Sequence, residues 1–141
     1  MREILFRGKR SDTGEWIYGD LRQDADLESA YIGGWDYFTA DYALQREPFE
    51  YPVSPETVSQ FTGLYDENGV RIFENDIVRY TDLAFNPNIG RFENMIFTSA
   101  VTYNLDNGCF SPFEPDTFES YIRAENVEVI GNRFDNPDLL N

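Results

Sequence analysis

The chain has no histidine among its 141 residues, so it lacks the side chain that titrates nearest neutral pH and most often serves as general base or metal ligand. Serine–histidine–aspartate catalysis, cysteine–histidine catalysis and histidine metal sites are excluded. Its one cysteine, Cys109, can form neither an intrachain disulfide nor a multi-thiolate zinc site. The adjacent Phe110 favours a buried, inert thiol, a usage that suits a reducing cytoplasm. Positive charge is also scarce: 11 Lys+Arg against 26 Asp+Glu give a net charge of -15. A field of that sign repels nucleic acid and anionic membranes unless a local basic patch reverses it. Only the first ten residues are clearly basic, with Arg2, Arg7, Lys9 and Arg10 against Glu3. Those four read as the solvated face of a first strand. No apolar run approaches the roughly 20 residues that span a bilayer, and Met1–Arg7 turns polar too soon for a signal peptide. A soluble, cytoplasmic protein that binds no membrane is expected.

What is present argues for a folded chain. Hydrophobic residues make up 41% and aromatics 16%, with twelve Phe and nine Tyr, more apolar surface than a disordered chain of this charge carries. The length suits one domain, 1–141, burying roughly two-thirds of the surface exposed by its unfolded chain. No internal repeat or linker divides it.

Along the chain, strand and turn signals alternate at short spacing. Ile4–Gly8 and Glu15–Leu21 read as strands joined through Asp12-Thr13-Gly14, with Trp16 as a core anchor. Between Gln23 and Tyr51 only Tyr31-Ile32 reads as a short strand. Gly33-Gly34-Trp35-Asp36-Tyr37-Phe38 reads as an aromatic-rich loop, and Thr39–Gln45 as a short helix. Ser54-Pro55-Glu56-Thr57 predicts one helical turn, with serine at the N-cap and proline at the first helical position. Ser59–Leu64 and Arg71–Phe73 flank an Asp66-Glu67-Asn68-Gly69 hairpin turn. Ile77–Tyr80 starts a strand, Asn86–Gly90 interrupts the chain before the apolar stretch Phe92–Tyr103, and a bent hairpin is expected there. Asp106-Asn107-Gly108 marks another turn before Cys109-Phe110, and Thr117–Ala124 reads as a second short helix. Val127–Ile130 is a last strand, Gly131 supplies a backbone turn closed to bulkier residues, and Leu139 and Leu140 dock the tail. The sum is a mainly β fold: a small antiparallel β-barrel or rolled sheet with one or two short helices.

With histidine absent, carboxylates are the remaining candidates for catalysis. Asp24, Asp26 and Glu28 have the spacing of one strand face, and Glu74 lies close to Asp76; either group offers oxygen ligands suited to Mg²⁺ or Ca²⁺. The first lacks the glycine and distal glutamate of a calcium loop, and such pairs arise readily by chance among 26 acids. Paired carboxylates also cleave glycosidic bonds, given a cleft that drives their pKa values apart. Gly33-Gly34 lacks the lysine and hydroxyl residue of a phosphate-binding loop. No cofactor is expected.

Three ordered motifs resemble the YopX-like family of small phage and prophage proteins. Arg7-Gly8-Lys9-Arg10 with Gly14–Gly19 is similar to the family's opening. Val58–Leu64, Asn68-Gly69 and Ile72-Phe73-Glu74-Asn75-Asp76-Ile77-Val78 are similar to its centre, and Val129-Ile130-Gly131-Asn132 with Asn136–Leu140 to its close. Asn75 stands where the family often has glycine, and asparagine tolerates the left-handed turn. The stretches Gly33–Glu50 and Asp82–Glu93 match none of the motifs. The resemblance implies a mainly β fold, a phage-related origin and self-association, with no activity or catalytic residue to carry over.

The function these features favour is protein–protein binding without catalysis, the partner being a second copy or a host protein. Tyr31, Trp35, Tyr37 and Phe38 are the candidate apolar centre of the interface, with acids as its rim. Two alternatives stand beside it. An acidic DNA mimic would need its carboxylates in rows, since duplex DNA carries one charge per roughly 1.7 Å; a carboxylate–metal hydrolase would need one of the acidic groups to close on a cation. Nucleic-acid binding through the basic N-terminal residues is opposed by the net charge.

Overall fold

The computed structural model describes residues 1–114 and 122–141, and the chain folds as two compact units, 1–61 and 62–141. The regular elements among the described residues are antiparallel strands and short 3₁₀ turns.

In the first unit, β1 (Phe6–Lys9), β2 (Trp16–Gln23), β3 (Ala30–Ala40) and β4 (Ala43–Val53) form a meander in the order β4-β3-β2-β1. The start of β5 (Ser59–Tyr65) pairs on the other side of β1, with Phe6 opposite Gln60 and Arg7 opposite Ser59. Alternation sends Ala30, Ile32 and Val53 into a core that Phe6, Ile17, Leu21 and Val58 complete. The turn expected at 54–57 forms as a 3₁₀ turn, Pro55–Thr57, with proline at its start. Ser54 makes no side-chain cap there. The Thr57 hydroxyl instead donates to the Ser54 carbonyl (2.7 Å) and accepts the Lys9 N–H (2.9 Å), tying the turn to β1.

Two secondary-structure expectations in this unit are overturned. The stretch 39–45 is not a helix but the end of a hairpin: Ala40 pairs with Ala43, and Asp41 and Tyr42 turn the chain with φ of 51° and 62°. Positive φ at both central residues is what a two-residue turn needs to match the native twist of its strands. Gly33–Phe38 is not a loop but the middle of β3. Gly33 does not break the strand, because it permits close approach rather than a bend: a Cβ there would lie 2.5 Å from the Phe49 carbonyl oxygen.

In the second unit, the rest of β5 is hydrogen-bonded to β6 (Arg71–Phe73) across the predicted turn. β7 (Asp76–Asn86) is the centre of a sheet ordered β11-β7-β8, with β8 (Arg91–Ala100) and β11 (Glu128–Asn132) on its two sides. β9 (Thr102–Asn104) and β10 (Cys109–Ser111) form a small hairpin. Ile72, Val78, Val101, Ala124 and Val127 form this unit's core. Asn75 takes φ 71°, and Asp76 Oδ2 accepts the Phe73 N–H at 2.7 Å, closing the turn. Gly131 has a different role from the one anticipated: it is not left-handed, but a Cβ there would lie 2.5 Å from Asn136 Oδ1. Of the helix expected at Thr117–Ala124, 117–121 lie outside the described residues, and Ala124 begins a 3₁₀ turn, Ala124–Asn126. Leu139 and Leu140 belong to a 3₁₀ turn, Pro137–Leu140, that lies near β8, and are 42% and 41% exposed.

No closed barrel is found among the described residues. Closure requires a continuous ladder around the sheet, whereas β4 meets the end of β1 only through the single bridge Arg10–Val53 and β8 has a strand on one side only.

Candidate protein-binding surface

Both long hairpins outrun their sheets. β2 accompanies β3 only as far as Gly33, opposite Asp20. From there β3 pairs with β4 alone, through seven residue pairs from Gly34–Phe49 to Ala40–Ala43. In the second unit β11 accompanies β7 only over Asp76–Arg79, and seven pairs from Tyr80–Phe97 to Asn86–Arg91 follow. These two-stranded ribbons account for the two stretches outside the family motifs, 33–50 and 82–93. An isolated two-stranded ribbon is marginal in water, so cross-strand side-chain pairs or a bound partner must support it.

On the β3–β4 ribbon, alternation places Tyr31, Trp35 and Tyr37 on one face, opposite Pro52, Pro48 and Arg46. Phe38 points to the other face, so the sequence-predicted cluster is split three to one. Tyr31 is half-buried beneath Arg22, whose guanidinium lies 4.0 Å from its ring centroid. Arg46 lies 4.0 Å over the Trp35 ring, yet Trp35 remains 48% and Tyr37 62% exposed. Arg22 also bonds Asp24 (3.0 Å) and Glu50 (2.8 Å). The hydrogen bond from Arg22 holds the Glu50 carboxyl below the usual carboxylate range, and that bond in turn raises the Arg22 guanidinium. At the tip Tyr42 is fully exposed in the left-handed conformation, which costs a non-glycine residue about 1 kcal/mol. On the opposite face Asp36 stands directly across from Glu47, an unfavourable like-charge pair.

Where the ribbon leaves its sheet, the face carries a concavity of about 470 Å³, lined by residues that include Asp20, Arg22, Gly33, Trp35, Pro48 and Glu50. Sequence reading missed Tyr42, Arg46, Asp20 and this hollow. The period-two pattern Tyr31, Gly33, Trp35, Tyr37 was visible in it, but the glycine pair suggested a loop.

The β7–β8 ribbon carries a second surface. Leu83, Phe85, Phe92 and Ile96 share one exposed face, and Phe85 meets Phe92 edge-on at 5.4 Å between centroids.

The other candidates fall away from chemistry. Asp24, Asp26 and Glu28 do not share a strand face, because β2 has ended and the chain turns: Asp24 pairs with Arg22, and Asp26 Oδ1 accepts the Glu28 N–H at 2.9 Å. Asp76 is buried within its turn. Among the described residues no three cysteine, aspartate or glutamate side chains converge on a cation position. Of the four basic N-terminal residues only Arg2, ahead of β1, is exposed, so they do not form a solvated strand face. Arg7 is buried, 4.7 Å from the centroid of the Trp16 ring, and Lys9 lies 5.4 Å from the same ring. Arg10 lies over Tyr51 and grips Asp12 with two hydrogen bonds. Trp16 is therefore a half-buried platform for cations rather than a core anchor. Cys109 is half-buried rather than enclosed. No helix is long and apolar enough to cross a membrane among the described residues.

The fold and this surface define an antiparallel β protein with two exposed ribbons. The chain belongs to the YopX family, whose model, described as YopX protein, matches residues 5–141. It is also similar in fold to the crystal structure of protein EF1440 from Enterococcus faecalis, at 24% identity and a TM-score of 0.57 over the whole of both chains. No curated protein matches.

Proposed function

We propose that the chain is a phage- or prophage-encoded accessory protein, acting without catalysis in the host cytoplasm by binding another protein through its β3–β4 ribbon. The observation that carries this reading is the ribbon itself: seven residue pairs beyond its sheet, displaying Trp35, Tyr37 and Arg46 on one face. Tryptophan, tyrosine and arginine dominate binding hot spots, because each buries large area at small entropic cost. The left-handed Tyr42 at the tip adds support, since strain retained at a fully exposed aromatic points to use rather than to packing. The acids of this face alternate with Arg22 and Arg46 rather than standing in rows, which favours protein binding over DNA mimicry.

The test is affinity capture from host lysate with the wild-type chain, the double variant Trp35→Ala/Tyr37→Ala and a β7–β8 control, Leu83→Ser. A partner held by the wild type and the control but lost by the double variant supports the reading. Equal recovery by all three, or a monomeric chain that recovers no partner, overturns it.

A further inference from the structure

We infer that the hollow at the root of the β3–β4 ribbon is a recognition site for an arginine side chain of the partner protein. This deepens the proposed protein-binding function and rests on it. Register sets the site: Asp20, Gly33 and Glu50 stand side by side across three strands, so two carboxylates flank a position that carries no side chain. The gap is built in, because the backbone of β4 lies too close to Gly33 for any Cβ, 2.5 Å from the Phe49 carbonyl oxygen. Trp35 and Pro48 form the next pair toward the tip, and Tyr31, beneath Arg22, stands on the root side.

The charges make this hollow want a cation. Arg22 already serves Asp24 and Glu50, whereas Asp20 is exposed and makes no ion pair with another described residue. One arginine against Asp20, Asp24 and Glu50 leaves the site anionic, which repels phosphate and attracts a basic side chain. Shape then selects among cations. A guanidinium presents two parallel N–H donors to the Asp20 carboxylate while its plane stacks on an aromatic ring; an ammonium is a point charge and does not stack as a plane. The face already sets a guanidinium over a ring twice with its own residues, Arg22 over Tyr31 and Arg46 over Trp35, each at 4.0 Å, and Arg22 bonds the Glu50 carboxylate as well. Arg46, opposite Tyr37 two residue pairs toward the tip from Trp35, reaches back over the Trp35 ring but does not line the hollow, and counting it still leaves two arginines against three acids.

The experiment is an NMR titration of the isotope-labelled full chain with N-acetyl-arginine amide at millimolar concentrations. N-acetyl-citrulline amide, its neutral isostere, serves as control, and so does an Asp20→Asn variant. Asp20 is exposed, so that variant keeps the fold. The expected result is saturable shifts at the Gly33 and Gly34 amides and the Trp35 indole N–H, at least tenfold weaker with citrulline and with Asp20→Asn. The Trp16 indole, already engaged by Arg7 and Lys9, stays in place. Equal responses to arginine and citrulline, persistence in Asp20→Asn, or shifts spread over the acidic surface would overturn the inference. If capture of the partner depends on Trp35 and Tyr37 but is indifferent to Asp20→Asn, the arginine site falls and the protein-binding function stands. If the double variant captures normally, the function fails while the titration still judges the hollow.

Discussion

Asp66 Oδ2 accepts the backbone N–H of Val129 at 3.0 Å, across 63 positions of sequence. Its other oxygen accepts the N–H groups of Asn68 (2.9 Å) and Val70 (2.8 Å), so one buried carboxylate closes its own hairpin turn and anchors β11. Three backbone donors depend on a side chain that is only 5% exposed.

Replacing that carboxylate leaves buried donors unsatisfied, each costing about 1–3 kcal/mol where water cannot reach it. Asp66→Ala is expected to lower unfolding stability by about 2–4 kcal/mol, and Asp66→Asn, which keeps an acceptor, by less. Chemical denaturation of the two variants beside the wild type measures this. Equal stability of the alanine variant would show that water or backbone rearrangement replaces the carboxylate.

Tyr42→Gly relieves the left-handed strain at the ribbon tip and creates an Asp-Gly hairpin turn, so the ribbon should gain about 1 kcal/mol. Hydrogen exchange of the β3–β4 amides will slow correspondingly. The same change removes a fully exposed aromatic, and affinity for the partner should fall even as the ribbon stiffens. Faster exchange would mean that Tyr42 supports the turn through contacts of its own.

The Asp36–Glu47 pair places two like charges opposite one another across the ladder. Glu47→Lys turns repulsion into attraction and should stabilise the ribbon by about 0.5 kcal/mol, more at low salt than at high salt. Thermal melts at two ionic strengths read both the sign and the screening.

Acid should loosen the ribbon root. The carboxyl of Glu50 titrates below the ordinary carboxylate range because Arg22 donates to it. A carboxylate depressed in the folded state contributes stability above its unfolded pKa of about 4.3, and that contribution is lost as pH falls through the lower, folded value. Side-chain NMR titration should place Glu50 below a typical glutamate, and Arg22→Gln should return it upward. No movement on removing Arg22 would assign the depression to another cause.

Local chemistry made much of the fold legible. Asp66–Gly69, Asn86–Gly90 and Asp106–Gly108 declare turns through residues that tolerate left-handed backbone or close turns with their own side chains. Pro55 marks the first residue of a 3₁₀ turn because its missing N–H is unneeded there. Asp41-Tyr42 carries no comparable signal, so local pattern favours a helix there and hides the register that sets Trp35 between Gly33 and Tyr37. Tyr31, Trp35 and Tyr37 were visible as a group of aromatics. Phe38, adjacent to Tyr37 in sequence, lies on the opposite face because side chains alternate along a strand.

The sequence by itself determined the absence of imidazole chemistry, the antiparallel β character and the positions of most turns, because composition, glycine, proline and asparagine act within a few residues. Tertiary structure alone decided that Arg7 is buried against Trp16, that β3 and β7 run on past their inner neighbours, and that Asp20 and Glu50 flank Gly33. Those facts depend on which strand pairs with which and in what register. Pairing of that kind is settled by long-range burial and backbone approach, and no local stretch of residues encodes it.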